Sequence, residues 1–430
     1  MHKRIKKSGT SSLIVSAMLM AVLSGCSSLP DLNEAVKENH SVIIGSENSK
    51  TSDKVSMLSE TYYDEEDYDD YEDVKSDDES SFTERDLAQT VDTSDASVIT
   101  AKDGETVEIT EEGVYTVSGS AKNFTIKVNA DEKAKVQLVL DGVDVENEDA
   151  PVIYVVSADK VFVTTTESEN TITVSGQFKS DGENNTDAVI YSKDDLVLNG
   201  TGTLNITSYY ANGVSCKDDL KITGGTYNVA SALDAFEAND SILVNDGTFT
   251  VNTNKDGFHC ENDEAEGIIT ISGGTFNISA GSDGIDACGL LQIDGGTFDI
   301  EGSEGLEATY ILINDGDITI NAGDDGINAS SNSSSYETAI EINGGNIDVT
   351  VGQGDTDGLD ANGSIYINGG TISVNAQMSS FDYDDKAEFN GGTIIVNGTE
   401  VTEIPQSMMG GGMKGGRGGM NGGMNGGMFR

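Results

Sequence analysis

A unit of the form Ile-x-Gly-Gly-Thr-aromatic-x-Val recurs through the second half of the chain and constrains the fold more than any other feature. It stands at Gly224-Gly225-Thr226, Asp246-Gly247-Thr248, Gly273-Gly274-Thr275, Gly295-Gly296-Thr297, Asp315-Gly316-Asp317, Gly344-Gly345-Asn346, Gly369-Gly370-Thr371 and Gly391-Gly392-Thr393. The steps between successive units are 22, 27, 22, 20, 29, 25 and 22 residues. A base of about 22 with loop insertions suits a solenoid coil of three short strands and their turns. Leucine-rich repeats share this length range, but their Leu and Asn signature is missing, and propeller blades of the WD type are about twice as long. Between Val98 and Val174 the chain is also strand-like: Thr106-Val107-Glu108-Ile109, Gly113 to Val117, Val136 to Leu140, Val152 to Val156 and Val161-Phe162-Val163 have β-rich composition without helical period. The expected fold is an all-β solenoid, a parallel β-helix.

In such a solenoid, equivalent residues of successive coils stack about 4.8 Å apart and form columns. Tyr227, Phe249, Phe276 and Phe298 make one, continued by Ile318, Ile347, Ile372 and Ile394. Facing inward, it is core, and the paired glycines supply a positive φ at the preceding turn.

A second motif, Asp-Gly-aliphatic-Asp-Ala, accompanies the first. It reads Asp234-Ala235-Phe236-Glu237-Ala238, Asp256-Gly257-Phe258-His259-Cys260, Asp283-Gly284-Ile285-Asp286-Ala287, Glu304-Gly305-Leu306-Glu307-Ala308, Asp325-Gly326-Ile327-Asn328-Ala329 and Asp357-Gly358-Leu359-Asp360-Ala361. Strand alternation turns the third and fifth residues inward and the fourth outward, while the first acid sits at the preceding turn. Two columns of oxygen ligands result. Like charges on neighbouring strands repel, and calcium, which takes 6–8 oxygens, relieves that repulsion. Asp234, Glu237, Asp256, Asp283, Asp286, Glu304, Glu307, Asp325, Asn328, Asp357 and Asp360 are therefore candidate calcium ligands. A solvated acidic face is the bland alternative.

Composition agrees with both. The net charge is -51, from 75 acidic against 24 basic residues. Nucleic acid is excluded as a partner, because neutralising phosphates takes Lys and Arg. Cys216 and Cys260 occupy one repeat position with Ala238 between them, which puts them beyond disulfide reach, and Cys288 is offset by one residue. Three free thiols are expected. His259 is expected to be a ladder residue rather than a catalyst.

The termini differ from the repeats. Lys3, Arg4, Lys6 and Lys7 precede an apolar stretch, Leu13 to Leu23, and then Leu23-Ser24-Gly25-Cys26, which resembles a bacterial lipobox. That resemblance implies cleavage of residues 1–25 and acylation of Cys26, leaving a lipoprotein on the outer face of the cell membrane, held by its lipid alone. Residues 26–96 are polar and acidic, most densely from Thr61 to Asp73, and are expected to form a disordered tether. Residues 405–430 are rich in Gly and Met and are likewise expected to be disordered.

The run from Asp103-Gly104 to Leu140-Asp141-Gly142-Val143 and Pro151-Val152-Ile153-Tyr154, followed by the Gly-Gly-Thr and Asp-Gly-Ile-Asp-Ala coils, resembles a bacterial carbohydrate-binding β-helix family first recognised in cellulolytic clostridia. The Gly/Met-rich tail is similar too. The resemblance covers residues 97–404. It implies a right-handed parallel β-helix akin to pectate lyases, bound calcium, and affinity for cellulosic or uronate-rich polysaccharide. A monomer is expected.

Pectate-type lyases use a Lys or Arg as base, and the chain has no Arg between Arg85 and Arg417. Lys255, directly before Asp256, is the candidate base if the protein is a lyase; as a surface charge it would balance an acidic turn. Every coil offers opposed carboxylates, so none stands out as a catalytic couple. A binding module is the leading expectation, with Tyr209, Tyr210, Tyr310 and Tyr366 as candidates for stacking on sugar rings. A lyase, or a surface adhesin or spacer without sugar affinity, is the alternative.

Overall fold

The structure is a computed structural model that describes residues 81–182, 184–262, 266–354 and 356–405. The leader, Cys26, the Tyr/Asp-rich segment and the Gly/Met-rich tail lie outside the described residues. Within the unit that begins at Phe82, strands join into a β-solenoid of about 12 turns, and no helix occurs among the described residues.

Each full coil contributes to three parallel sheets. The acidic sheet holds Asn212–Cys216, Phe236–Ala238, Phe258–Cys260, the leading halves of Asp283–Ile293 and Glu304–Ile313, Ile327–Ala329 and Asp357–Ala361. The aliphatic sheet follows it in the chain, with Asp219–Ile222, Ser241–Val244, Ile268–Ile271, Ala339–Ile342 and Ser364–Ile367. The aromatic sheet comes third, with Thr226–Ser231, Thr248–Thr253, Thr275–Ser279, Thr297–Gly302, Asp317–Ala322, Asn346–Val351, Thr371–Asn375 and Thr393–Val396.

The register places Tyr227, Phe249, Phe276, Phe298, Ile318, Ile347, Ile372 and Ile394 in one ladder, as their repeat positions require. All are buried. Ring centroids along it lie 5.4, 4.7 and 4.5 Å apart, near the rung spacing, because parallel strands force equivalent rings to stack. A second stack, Phe236 over Phe258 at 4.7 Å, enters from the acidic sheet and meets the first edge-on, Phe249 to Phe258 at 5.5 Å. Offset and edge-to-face arrangements are those that aromatic quadrupoles favour.

The two glycine motifs serve different needs. In the Gly-Gly pair only the second residue has positive φ, for example Gly274 at 114° and Gly296 at 112°. The glycine after the first acid of the other motif is required by closeness: a Cβ on Gly284 would lie 2.6 Å from the Gly305 carbonyl oxygen and 2.3 Å from Ile300 Cγ2. The corner before the Gly-Gly pairs carries an amide ladder, in which Asn343 donates to Asn314 at 2.9 Å, Asn368 to Asn343 at 2.8 Å and Asn390 to Asn368 at 2.9 Å. At the far end Thr393–Val396 folds back on Thr399–Val401 through Asn397-Gly398, both in the left-handed region, so an antiparallel hairpin closes that sheet.

Cys216, Ala238 and Cys260 share one ladder, and Cys216, Cys260 and Cys288 are free thiols. Cys288 lies outside the core cluster that takes in its neighbour Ala287, yet is only 6% exposed. Residues 85–89, which composition places in the tether, lie against this body. Arg85 sits 4.4 Å over the Phe162 ring, Asn199 Nδ2 donates to the Asp86 carbonyl at 3.2 Å, and Gln89 Oε1 accepts from the Gly200 N–H at 2.9 Å.

Candidate functional site

The acidic sheet carries both expected columns. Its outward column runs Tyr191, Ser215, Glu237, His259, Asp286, Glu307, Asn328, Asp360 and Asp382, each paired with the next. The side chains in it from Glu237 to Asp360 are half-buried, flanked by fully buried neighbours, as period-2 alternation demands, and Asp382 is half-buried too.

The leading-acid column is partly consumed by the backbone. Asp234 N–H donates to Asn212 Oδ1 at 3.0 Å, Asp256 N–H to Asp234 Oδ1 at 3.1 Å, Asp283 N–H to Asp256 Oδ1 at 3.0 Å, and Asp357 N–H to Asp325 Oδ1 at 2.7 Å. Asp234, Asp256 and Asp325 each spend one oxygen satisfying an N–H of the next rung, which leaves the other freer to face a ligand. The ladder is invisible in the sequence, because it depends on a turn geometry that composition does not encode.

The upstream rungs bring their own cations. Lys255 Nζ donates to Asp234 Oδ2 at 3.0 Å and pairs with Asp256 Oδ2 at 3.3 Å. Lys217 Nζ reaches Glu237 Oε1 at 3.1 Å, and Asn212 Nδ2 donates to Glu237 Oε2 at 2.7 Å. His259 stands between two acids, its Nδ1 3.7 Å from Asp234 Oδ2 and its Nε2 3.6 Å from Asp286 Oδ2. Burial alone would raise the Asp234 pKa, but His259 and Lys255 outweigh it and hold the carboxyl at about 2. Burial would lower the Lys255 pKa, and the two aspartates reverse that and raise it. The amine is thus held as a cation, which is the opposite of what a general base requires.

Downstream the balance changes. Oxygens of Asp256, Asp283 and Asp286 lie within 4.8 Å of one another, and so do those of Asp283, Glu304 and Glu307. Among the described residues no Lys or Arg pairs with Asp283, Glu304 or Glu307. Their neighbours are neutral donors: Ser282 to Asp283 at 3.1 Å, Asn328 to Glu304 at 2.9 Å and Ser330 to Glu307 at 2.6 Å. Burial, and then the surrounding carboxylates, push Asp283 up to about 6 and Glu304 to about 8. Asp286 also rises to about 8, from burial and the like charges of Glu307, Asp256 and Asp283, against the pull of His259. Further along, burial together with Asp325, Asp357, Asp382 and Asp384 raises Asp360 to about 7.

A third carboxylate group, which the repeat pattern had not singled out, gathers Asp195, Asp218 and Asp219 at the corner between the acidic and aliphatic sheets. Its sequence signal is the pair of adjacent acids at Asp194-Asp195 and Asp218-Asp219, one coil apart. Lys160 lies 3.5 Å from Asp195 and Ser241 donates to Asp219 at 2.6 Å.

The four tyrosines separate cleanly. Tyr310 is fully buried and its hydroxyl donates to Glu341 in the next rung. Tyr366 is 8% exposed with Lys386 Nζ 4.9 Å above its ring. Neither presents a face to a sugar, since both have become part of the packing on the aliphatic sheet. Tyr209 and Tyr210 are 63% and 52% exposed.

Comparison with known proteins adds the following. A family model described as carbohydrate-binding domain-containing protein matches residues 103–310 and 301–403. A carbohydrate-binding domain-containing protein of Acetivibrio thermocellus is 35% identical over 126 residues, 29% of this chain; the chain spans 44% of that relative's length. A solved structure of the polysaccharide lyase-like protein from C. thermocellum, a gadolinium derivative, aligns at 22% identity over 72% of this chain and 97% of that one, with a TM-score of 0.34.

Proposed function

Since this chain belongs to the family of carbohydrate-binding domain-containing proteins, we propose that it binds uronate-rich polysaccharide through calcium ions held along the acidic sheet. The observation that supports this most is the convergence of Asp283, Glu304 and Glu307 within 4.8 Å, with no Lys or Arg among the described residues paired with them. The donors in the Asp283, Glu304 and Glu307 set are carboxylate oxygens, with neither thiolate nor imidazole, and such hard donors suit calcium better than zinc or copper. Asp256, Asp283, Asp286, Glu304 and Glu307 would hold the ions. Bound calcium would supply the positive charge that an acidic protein needs to meet an acidic polymer. In this reading Cys26 carries the lipid anchor and holds the protein at the outer face of the cell membrane.

Affinity electrophoresis through polygalacturonate tests it. Retardation is expected with calcium and is expected to vanish in chelator. Mobility on polygalacturonate that ignores the chelator would refute the calcium bridge, and free migration through every polymer would leave a spacer.

Lys255 provides a separate check. Replacing it by Met removes the cation shared by Asp234 and Asp256, leaving buried carboxylates that cost stability when unpaired. Lys255→Met is expected to melt below the parent in chelator and to recover most of the loss in calcium, with a higher calcium stoichiometry by titration calorimetry. Unchanged stoichiometry would show that these upstream oxygens cannot be turned to a metal.

A further inference from the structure

At the N-terminal end of the aromatic sheet lies a groove of about 410 Å³, lined by Asp144, Val145, Glu146, Thr173, Ser175 and Tyr209. Its size falls within the range of small-ligand sites. The local fold explains its chemistry. On the strand Lys135–Asn147, Asp144 and Glu146 are exposed while Val145 between them is buried, so two carboxylates stand side by side on the outer face. Thr173 is the partner of Glu146 in the next rung. Ser175 follows at the corner, and one coil on Tyr209 is fixed there by its N–H donating to the Val174 carbonyl at 3.2 Å.

Tyr209 and Tyr210 are unusual in this chain. Among the described residues the large hydrophobic side chains left exposed are Leu87, Val98, Tyr209, Tyr210, Leu233 and Met378, and these two are the aromatics. Leu233 occupies the same corner one coil further on, where its N–H donates to the Ala211 carbonyl at 3.2 Å. A ridge of Tyr209, Tyr210 and Leu233 thus borders a wall of carboxylates and hydroxyls. A fold that buries Tyr154, Tyr191, Tyr227, Tyr310 and Tyr366 leaves this ridge in water, and adjacent exposed apolar side chains mark contact surfaces.

We infer that this groove is a second carbohydrate subsite, one that takes a neutral hexopyranose chain without a metal. The inference rests on the carbohydrate-binding reading and divides it between two surfaces. The lining offers acceptors to sugar hydroxyls and an aromatic face to the ring C–H groups, the usual combination of an apolar platform with a few placed polar groups. Its lining contains no basic side chain, and Lys122, which reaches Glu146, is already paired with it at 2.9 Å. A uronate would meet like charge here, whereas a neutral glucan meets none. The groove also lies on a different sheet from the triads of Asp283 and Glu304, so chelation leaves it intact.

Titration calorimetry with cellohexaose in the presence of a chelator tests the assignment. The parent is expected to bind, Tyr209→Ala to bind at least about tenfold more weakly, and Tyr209→Phe, which keeps the ring, to stay within about twofold. Tyr209 is largely exposed, so both variants are expected to melt with the parent. Equal binding by Tyr209→Ala and the parent, or cellohexaose binding that requires calcium, would overturn the subsite. Loss of cellohexaose binding alone, with calcium-dependent retention on polygalacturonate intact, would remove the groove and leave the acidic sheet as the binding surface. Absence of both would remove both readings.

Discussion

Calcium is expected to raise the unfolding temperature of this protein by several degrees over the chelated form, and the gap is expected to widen as pH rises from about 4 to about 8. The cause is the stack of carboxylates without Lys or Arg partners among the described residues. Asp286 and Glu304 sit at about 8 in the folded, metal-free state because burial and like charges penalise their ionised forms. Unfolded, both revert to about 4. Between those limits the folded state binds more protons than the unfolded one, so the stability of the metal-free protein falls as pH rises through the window. Calcium acts in the opposite sense, since its ligands must be deprotonated and its affinity grows with pH. A site filled at one hundred times its Kd contributes about 2.7 kcal/mol. Scanning calorimetry at several pH values, with calcium and with chelator, measures both trends. A melting temperature indifferent to calcium at pH 8 would exclude the metal from this sheet, and a gap that narrows with pH would show that the carboxylates are not its ligands.

Phe276→Ala is expected to cost about 3–5 kcal/mol, the range for emptying a fully buried aromatic site. The ring stacks on Phe249 at 4.7 Å and Phe298 at 4.5 Å and meets Phe258 edge-on at 5.8 Å, so three rings lose a neighbour together. Stacked coils cannot close over the void, because each rung is held by hydrogen bonds to the rungs on both sides. Phe276→Leu is expected to cost far less, about 1.5 kcal/mol or below. The same ladder already accepts Ile at 318, 347, 372 and 394. Urea unfolding of the two variants decides the matter. A Phe276→Ala cost of about 1 kcal/mol or less would mean that the column is not a cooperative core.

Much of the solenoid was legible from residue order, because its information is periodic. The Gly-Gly-Thr spacing fixes the coil length, and period-2 alternation then assigns Phe258 and Cys260 inward and His259 outward without knowledge of any contact. The acid columns are legible for the same reason: Glu237, His259, Asp286 and Glu307 are neighbours because their repeat positions are equal. The carbohydrate-binding family was legible too, through the order of its motifs.

What periodicity does not carry is how a column is finished off at each rung. By repeat position eleven residues are equivalent ligands, but Lys217 and Lys255 reach Glu237, Asp234 and Asp256 through turn geometry and long side chains. The backbone N–H ladder then takes one oxygen from Asp234, Asp256 and Asp325. The tyrosines obey the same division. The sequence by itself offers Tyr209, Tyr210, Tyr310 and Tyr366 as surface aromatics, since none of them belongs to the inward aromatic column. Only the tertiary structure decided which of them remains open: Glu341 and Lys386 pack Tyr310 and Tyr366 away, while among the described residues the corner at Tyr209 and Tyr210 stays exposed. The repeat dictates direction, and three-dimensional neighbours dictate accessibility and charge.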